Sequence, residues 1–213
     1  MNTLTLRQLT VGPLQENCWL IADTVSGKAV LVDPGDEAEL LLAAVDATGC
    51  SLDGIWLTHA HFDHIGAVQA TREALAAPVY LHEDAWTPYS RAHISAERFN
   101  IPFTQPAAPE FKLELGALAF GALEFLALFT PGHAPGAVCF SVPDLGLVLT
   151  GDTLFQGGPG ATGRSYSDYP TILDSIKRRL FTLPPETRVL TGHGAETTVG
   201  AEAPSYDEWV KKQ

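Results

Sequence analysis

The sequence predicts an α/β fold, a four-layer αββα sandwich with two sheets face to face and helices outside. Three observations predict it. Strand-like runs precede helix-like runs twice, over residues 3 to 33 with helices from 36 and 63, then over 112 to 150 with a helix from 168. No linker or composition break separates the two series, so residues 1–213 read as one domain. Several apolar runs end in short polar, glycine-containing segments, as strands do when they deliver side chains to one edge of a sheet.

Residues 3 to 9 alternate in character and read as a strand, 18 to 23 as a second, with Gly12-Pro13 as the turn between them. Ser26-Gly27-Lys28 reads as a hairpin turn into a third strand over 29 to 33, ended by Pro34-Gly35. Residues 36 to 47 read as a helix. Leu40, Leu41, Ala44 and Val45 recur near the 3.6 period, Asp36 is placed as N-cap, and Gly49 closes it. Gly54-Ile55-Trp56-Leu57 is a buried strand, and a helix from Asp63 or His64 runs through Ala67, Val68, Thr71 and Leu75. Residues 78 to 82 form a short strand. Residues 83 to 110 carry Trp86, Tyr89, Phe99, Phe103 and several prolines without a clear period. They read as a lid or pocket wall, or as a surface loop with one helix. Strands follow at 112 to 115, 118 to 120, 123 to 129, 137 to 142 and 147 to 150. An amphipathic helix over 168 to 182, a strand over 188 to 191 and a short helix over 206 to 211 complete the chain.

Hydrophobic residues make up 46% and charged residues 18%, which suits an enzyme with a substantial core. The net charge of -12 and the lack of a basic stripe argue against nucleic acid as a partner. No stretch is long and apolar enough for a membrane span, and the first residues lack a basic region followed by an apolar one. A cytoplasmic location without a signal peptide is the expectation. The three cysteines, Cys18, Cys50 and Cys139, are widely spaced and read as small buried hydrophobes.

The chemistry concentrates in Thr58-His59-Ala60-His61-Phe62-Asp63-His64-Ile65-Gly66, directly after a buried strand. His59 and His61 share parity and point to one side of an extended chain, while Asp63 and His64 approach from the turn. Imidazoles and a carboxylate so placed suit zinc-like ions. Three later strand ends each offer one more donor in a glycine loop: His133 after Thr130-Pro131-Gly132, Asp152 after Thr150-Gly151, and His193 after Thr191-Gly192. Each alone is an ordinary turn residue; beside the dense cluster they reinforce one another. Seven donors exceed one tetrahedral ion and suit two, with a carboxylate as bridge, which points to metal-assisted hydrolysis. His82 and His93 lack the glycine-loop setting and read as surface or supporting residues.

The order T-H-A-H-F-D-H-I-G, T-P-G-H, T-G-D-T-L-F, T-G-H-G resembles the metallo-β-lactamase superfamily, most of all glyoxalase II (hydroxyacylglutathione hydrolase) and its short relatives. The resemblance runs from Gly12 to Gly200. It implies the metallo-β-lactamase fold, with His59, His61 and His133 on a first metal, Asp63, His64 and His193 on a second, and Asp152 between them. Two divalent ions are implied, zinc first, with iron or manganese also accepted by such donors. The implied reaction is hydrolysis of a small-molecule thioester such as S-lactoylglutathione by a hydroxide shared between the ions, Asp63 being the evident proton handler. The helical domain that follows in full-length glyoxalase II is not expected here. Where the family often shows Gly-Arg-Ser/Thr-Asp, this chain reads Gly163-Arg164-Ser165-Tyr166-Ser167-Asp168. Arg164, Ser165 and Tyr166 are candidate substrate contacts, or simply the loop before a helix.

A β-lactamase is disfavoured because Asp152 stands where such enzymes typically use another residue, and a nuclease by the charge. A persulfide dioxygenase, with one iron on His59, His133 and Asp152, is the rival from another reaction class. A non-catalytic metal module would need the same donors without an open position. The oligomeric state is left open.

Overall fold

The computed structural model describes residues 4–121 and 123–212. It divides into two compact units. The first holds the described residues through Leu113 with Phe120 and Gly121; the second holds Glu114–Ala119 and the described residues from Leu123 onward.

The first unit is built on a six-stranded sheet in chain order: β1 (Leu4–Val11), β2 (Glu16–Asp23), β3 (Lys28–Val32), β4 (Ser51–Trp56), β5 (Val79–Leu81) and β6 (Phe111–Lys112). The first three strands are antiparallel, because short turns join them. The pairs β3–β4, β4–β5 and β5–β6 are parallel and need crossovers, which helices supply. Strand β2 is buried along its whole length; residues 18 to 22 are accordingly an apolar run, flanked by the buried polar residues Glu16, Asn17 and Asp23. Leu20, Leu31, Ile55, Leu57, Ile65 and Val68 are among the unit's fully buried core residues.

Helix α1 (Ala38–Asp46) packs Leu41, Ala44 and Val45 inward; Leu40, expected in the same stripe, is 44% exposed. Its N-cap is Glu37 in a left-handed conformation, not Asp36, whose Oδ1 accepts from the Glu37 amide at 2.7 Å one residue earlier. Gly49 closes the turn beyond it with φ +68° and a bond to the Asp46 carbonyl.

The helix expected from Asp63 or His64 through Leu75 is two: α2 (Phe62–Ile65) and α3 (Val68–Leu75). The break has a packing cause. Gly66 lies against the Gly35 carbonyl, where a Cβ would collide, and the Ala67 amide donates to Pro34 O at 3.0 Å instead of continuing the helix. Residues 83 to 110, read as a lid or pocket wall or as a surface loop with one helix, hold a 3₁₀ turn and two short helices, α4 (Trp86–Ser90) and α5 (Ala92–Arg98). The rest, rich in proline, is irregular but pinned: Arg72 donates to Ala107 O and Ala108 O and pairs with Glu110.

The second unit has its own sheet. Strands β7 (Gly116–Phe120), β8 (Leu123–Phe129), β9 (Val138–Val142) and β10 (Leu147–Gly151) follow in order, with antiparallel pairing of β8, β9 and β10. A two-stranded ribbon, β11 (Leu154–Phe155) and β12 (Gly158–Pro159), comes next. Helix α6 (Tyr169–Ser175) is capped by Asp168, whose carboxylate accepts from the Thr171 amide at 2.9 Å. The helix expected to run to 182 instead widens into a π turn over Ile176–Leu180. It crosses over to β13 (Arg188–Thr191), which joins β10 in parallel, and β14 (Thr197–Thr198) is the sheet's edge. Helices α7 (Val199–Glu202) and α8 (Tyr206–Val210) end the described chain. Ile172, Leu173, Ile176 and Leu180 pack with Val148, Val189 and Trp209. The short pieces β11, β12, β14 and α7 were not expected from periodicity, which needs longer runs.

Cys18 and Cys139 are fully buried, as expected; Cys50 is only half-buried. Among the described residues no helix is long and apolar enough to cross a membrane.

Candidate metal centre

In the first unit the chain leaves β4 at Trp56 and carries His59 and His61 on irregular backbone rather than on the strand. What fixes His59, by way of Thr58, is Asp33, at the end of β3. Its carboxylate, 2% exposed, accepts from the Thr58 amide at 2.7 Å, from Thr58 Oγ1 at 2.5 Å and from His64 Nδ1 at 3.1 Å. Asp33 itself has φ +54°, a conformation that turns its side chain back under the histidines. Three donor groups, two from Thr58 and one from His64, thus converge on one buried carboxylate.

These bonds set the tautomers. The Thr58 hydroxyl gives its proton to Asp33, so it accepts from His59 Nδ1–H at 3.0 Å and leaves His59 Nε2 with a lone pair. His64 likewise donates Nδ1–H to Asp33 and presents Nε2. His59 Nε2 lies 3.0 Å from His61 Nδ1, and the His59 and His64 rings are 4.2 Å apart. Asp63, on α2, places Oδ2 4.0 Å from His64 Nε2. Glu16 is buried with Oε1 3.6 Å from His64 Nδ1. Asp33, His59 and His64 have donor atoms within 4.8 Å of one another.

The second unit assembles the other three donors around Asp152. Its Oδ2 lies 3.4 Å from His133 Nε2, and its Oδ1 lies 3.8 Å from His193 Nε2. One carboxylate therefore faces two imidazoles with its two oxygens. His133 follows β8, and its Nδ1–H donates to Ala161 O at 2.7 Å, which leaves Nε2 as the donor atom toward Asp152. The loops after β10 and β13 are tied together by the Gly192 amide on Gly151 O at 2.8 Å. Thr191 Oγ1 donates to the His193 carbonyl at 2.7 Å and holds that turn.

Ala161 O depends on further supports. Gly160 packs against the Asp152 carbonyl so closely that a Cβ would collide, and its amide donates to Thr153 O at 3.1 Å. The β11–β12 turn ahead of it is held by Glu202, whose buried carboxylate accepts from the Gly157 amide at 2.9 Å and from Thr197 Oγ1 at 2.6 Å. Thr153 Oγ1 also donates to Thr130 Oγ1 at 3.3 Å, linking the segments that carry Asp152 and His133.

The donor chemistry fits a divalent cation. Both sets are imidazoles and carboxylates, the histidines are oriented by a carboxylate, a hydroxyl or a carbonyl, and no thiolate is among them. Such oriented imidazoles are the usual metal ligands, and the set accepts zinc, iron or manganese.

Of the expected site residues, the first unit brings His59, His61, Asp63 and His64 together, and the second brings His133, Asp152 and His193 together. Arg164, Ser165 and Tyr166 are exposed on the loop before α6. Arg164 Nη1 donates to the Tyr166 hydroxyl at 3.1 Å, and it is Ser167, not Ser165, whose Oγ organises the loop by accepting from the Gly163 and Arg164 amides. His82 is buried rather than superficial: its Nδ1 accepts from the Asp84 amide at 3.3 Å. His93 faces Gln105 Oε1 at 3.3 Å. Sequence reasoning missed Asp33, Thr58 and Glu202 as supports. Asp33 carried the same signal as the donors, a polar residue at a strand end before Pro34-Gly35.

Comparisons with known proteins extend these observations. The sequence profile of the Metallo-beta-lactamase superfamily matches residues 11–193. The chain is 41% identical over 199 residues to a probable metallo-hydrolase, YqgX, of Bacillus subtilis, covering 92% of this chain and 93% of that protein. It is 32% identical over 202 residues to hydroxyacylglutathione hydrolase GloC of Haemophilus influenzae, covering 93% and 95%. Among solved structures, BLEG-1 B3 metallo-beta-lactamase aligns with a TM-score of 0.87 at 34% identity over 94% of this chain and 97% of that one. TTHA1623 in a di-iron-bound form gives 0.84 at 43%, over 92% and 96%. ETHE1 from Myxococcus xanthus gives 0.80 at 28%, over 97% and 88%. The fold is therefore the expected α/β sandwich of the metallo-β-lactamase type.

Proposed function

The chain belongs to the metallo-β-lactamase superfamily, and from that premise we propose that it is a two-metal hydrolase of thioesters such as S-lactoylglutathione or a related acyl compound. The observation that carries the two-metal reading is Asp152, whose oxygens face His133 at 3.4 Å and His193 at 3.8 Å, as a bridging carboxylate requires. His59, His61 and His133 would hold one ion, and Asp63, His64 and His193 the other. Zinc is the first choice; the likeness to a chain solved in a di-iron form keeps iron in view. When bound, the two ions supply a hydroxide near neutral pH and a Lewis acid for the developing oxyanion.

The chain's own residues do the rest. Asp33 and Thr58 keep His59 and His64 in the tautomers that present Nε2. Ala161 O does the same for His133. Asp63, with its side chain 16% exposed, can take and release a proton beside the reacting carbonyl. The leaving thiol has a pKa of about 8.5, so it departs as thiolate without a strong general acid. Arg164, steadied by the Tyr166 hydroxyl, with Ser165 beside it, offers a contact for an anionic end of the substrate. The likeness to GloC, 32% identical over nearly the whole of both chains, supports the thioester class.

A second reading, a persulfide dioxygenase with a single iron on His59, His133 and Asp152, is supported by the likeness to ETHE1. Parallel assays separate the readings: S-lactoylglutathione hydrolysis, oxygen uptake on glutathione persulfide, and β-lactam hydrolysis as a control for the likeness to BLEG-1. Thioester turnover without oxygen uptake is the expected result. Oxygen uptake without thioester cleavage would replace the first reading by the second.

A further inference from the structure

Beside Asp63 the first unit holds a cleft of about 250 Å³. One wall is the tip of the β1–β2 hairpin, with Pro13 and Leu14; the other is the irregular segment after α5, with Ile101 and Phe103. Phe62, the residue before Asp63, also lines it, its ring 6.2 Å from that of Phe103 in an edge arrangement. A smaller apolar cavity, about 150 Å³, is enough for benzene. The polar side chains of the lining belong to Thr104 and to three acids, Glu16, Asp36 and Asp63. Among the described residues that line the cleft, none is Lys, Arg or His.

The cleft thus combines room for a ring or a short chain, apolar walls from two segments, and a lining charge of one sign. Removing apolar surface from water favours an apolar guest over one whose polar groups would lose their hydration against these walls. Asp63 ties the cleft to the chemistry, because it lines the cleft and its Oδ2 lies 4.0 Å from His64 Nε2. Leu14 is 37% exposed, a large apolar side chain of the lining that solvent can reach.

We propose that this cleft is a specificity subsite for an apolar group of the substrate, a phenyl ring or short alkyl chain attached close to the thioester carbonyl. The inference rests on the hydrolytic reading above. The apolar group can arrive from either side of the thioester, as the acyl chain or as the thiol, and the chemistry that recognises it is the same.

The test uses two substrate series on the metal-loaded protein. Glutathione thioesters of acetyl, hexanoyl and phenylacetyl groups vary the acyl side. Acetyl thioesters of N-acetylcysteamine and of benzyl mercaptan vary the thiol side. The expected result is a rise in kcat/KM of at least about tenfold with the apolar group in one series, which identifies the side that enters. Leu14→Asp, at an exposed hairpin tip that tolerates it, and Phe103→Ala should each collapse that ratio toward unity. No gradient in either series, or a ratio unmoved by both substitutions, overturns the subsite. If no thioester is cleaved, the hydrolytic reading fails by itself, and binding of an uncleavable thioether, S-benzyl-N-acetylcysteamine, decides the subsite by NMR. Shifts at Leu14 and Phe103 uphold it, and no shift at millimolar concentration overturns it.

Discussion

Replacing Asp33 by asparagine changes one atom of the carboxylate and should weaken metal binding without unfolding the chain. Asp33 accepts three hydrogen bonds, from Thr58 N at 2.7 Å, Thr58 Oγ1 at 2.5 Å and His64 Nδ1 at 3.1 Å. In the Asp33→Asn variant the side-chain carbonyl oxygen can keep the Thr58 amide, but the new amide nitrogen then faces Thr58 Oγ1 and His64 Nδ1 as a donor. His64 would have to accept on Nδ1 and protonate Nε2, the atom needed for a ligand. The Thr58 hydroxyl would turn around and compete with the His59 Nδ1–H it now receives. Loss of an orienting carboxylate costs about 10–100-fold in metal affinity, or roughly 1.4–2.7 kcal/mol. The measurement is competition for zinc against a chromophoric chelator on metal-stripped protein, with circular dichroism as the check on folding. An affinity within about threefold of the parent in a folded variant would refute the role given to Asp33.

Asp152→Ala should lose both metal and activity; two tightly held ions in that variant would show that Asp152 does not bridge. Glu202→Ala should lower metal affinity by disturbing the turn that carries Ala161 O, whereas Glu202→Gln keeps an acceptor for Gly157 N and should recover most of it; equal losses in thermal stability with unchanged metal binding in both would leave Glu202 a merely structural residue. Burial pushes the Tyr89 phenol up. A folded-state value above the unfolded one, about 10, means that its contribution is fully present below pH 10 and is lost as pH rises beyond it. Melting temperature measured from pH 8 to 11 should fall at the alkaline end, and Tyr89→Phe should flatten that fall; an identical profile in the variant would rule Tyr89 out as its source. Native Cys18 and Cys139 should resist a thiol reagent while Cys50 reacts, and labelling of more than one cysteine before unfolding would contradict their burial.

What was legible in the sequence is what repeats or clusters. The strands β4, β8, β10 and β13 announced themselves as apolar runs, and the donors at their ends were visible because each follows a strand and a glycine or lies in the dense histidine cluster. Helix periodicity gave α1 and α6 but overextended both. Asp36 looks like an N-cap, yet the left-handed Glu37 takes that place because the chain turns once more after Pro34-Gly35. The α2–α3 break was invisible locally: it is caused by the Gly35 carbonyl, brought in from 31 positions earlier in the chain. Asp33 escaped notice as a support because its partners, Thr58 and His64, lie 25 and 31 residues away. The cleft walls were unreadable for the same reason, since Leu14 and Phe103 meet only through the fold, although the irregular stretch at 83 to 110 does supply one of them, as its lack of period suggested.

The central claim, two ions on seven donors driving thioester cleavage, is tested most directly by stepwise metal titration of the stripped protein with turnover followed at each step. Saturation at two zinc ions per chain is expected, with S-lactoylglutathione hydrolysis, or that of a related thioester, rising mainly with the second. Saturation at one ion per chain, with full activity already present, would contradict it.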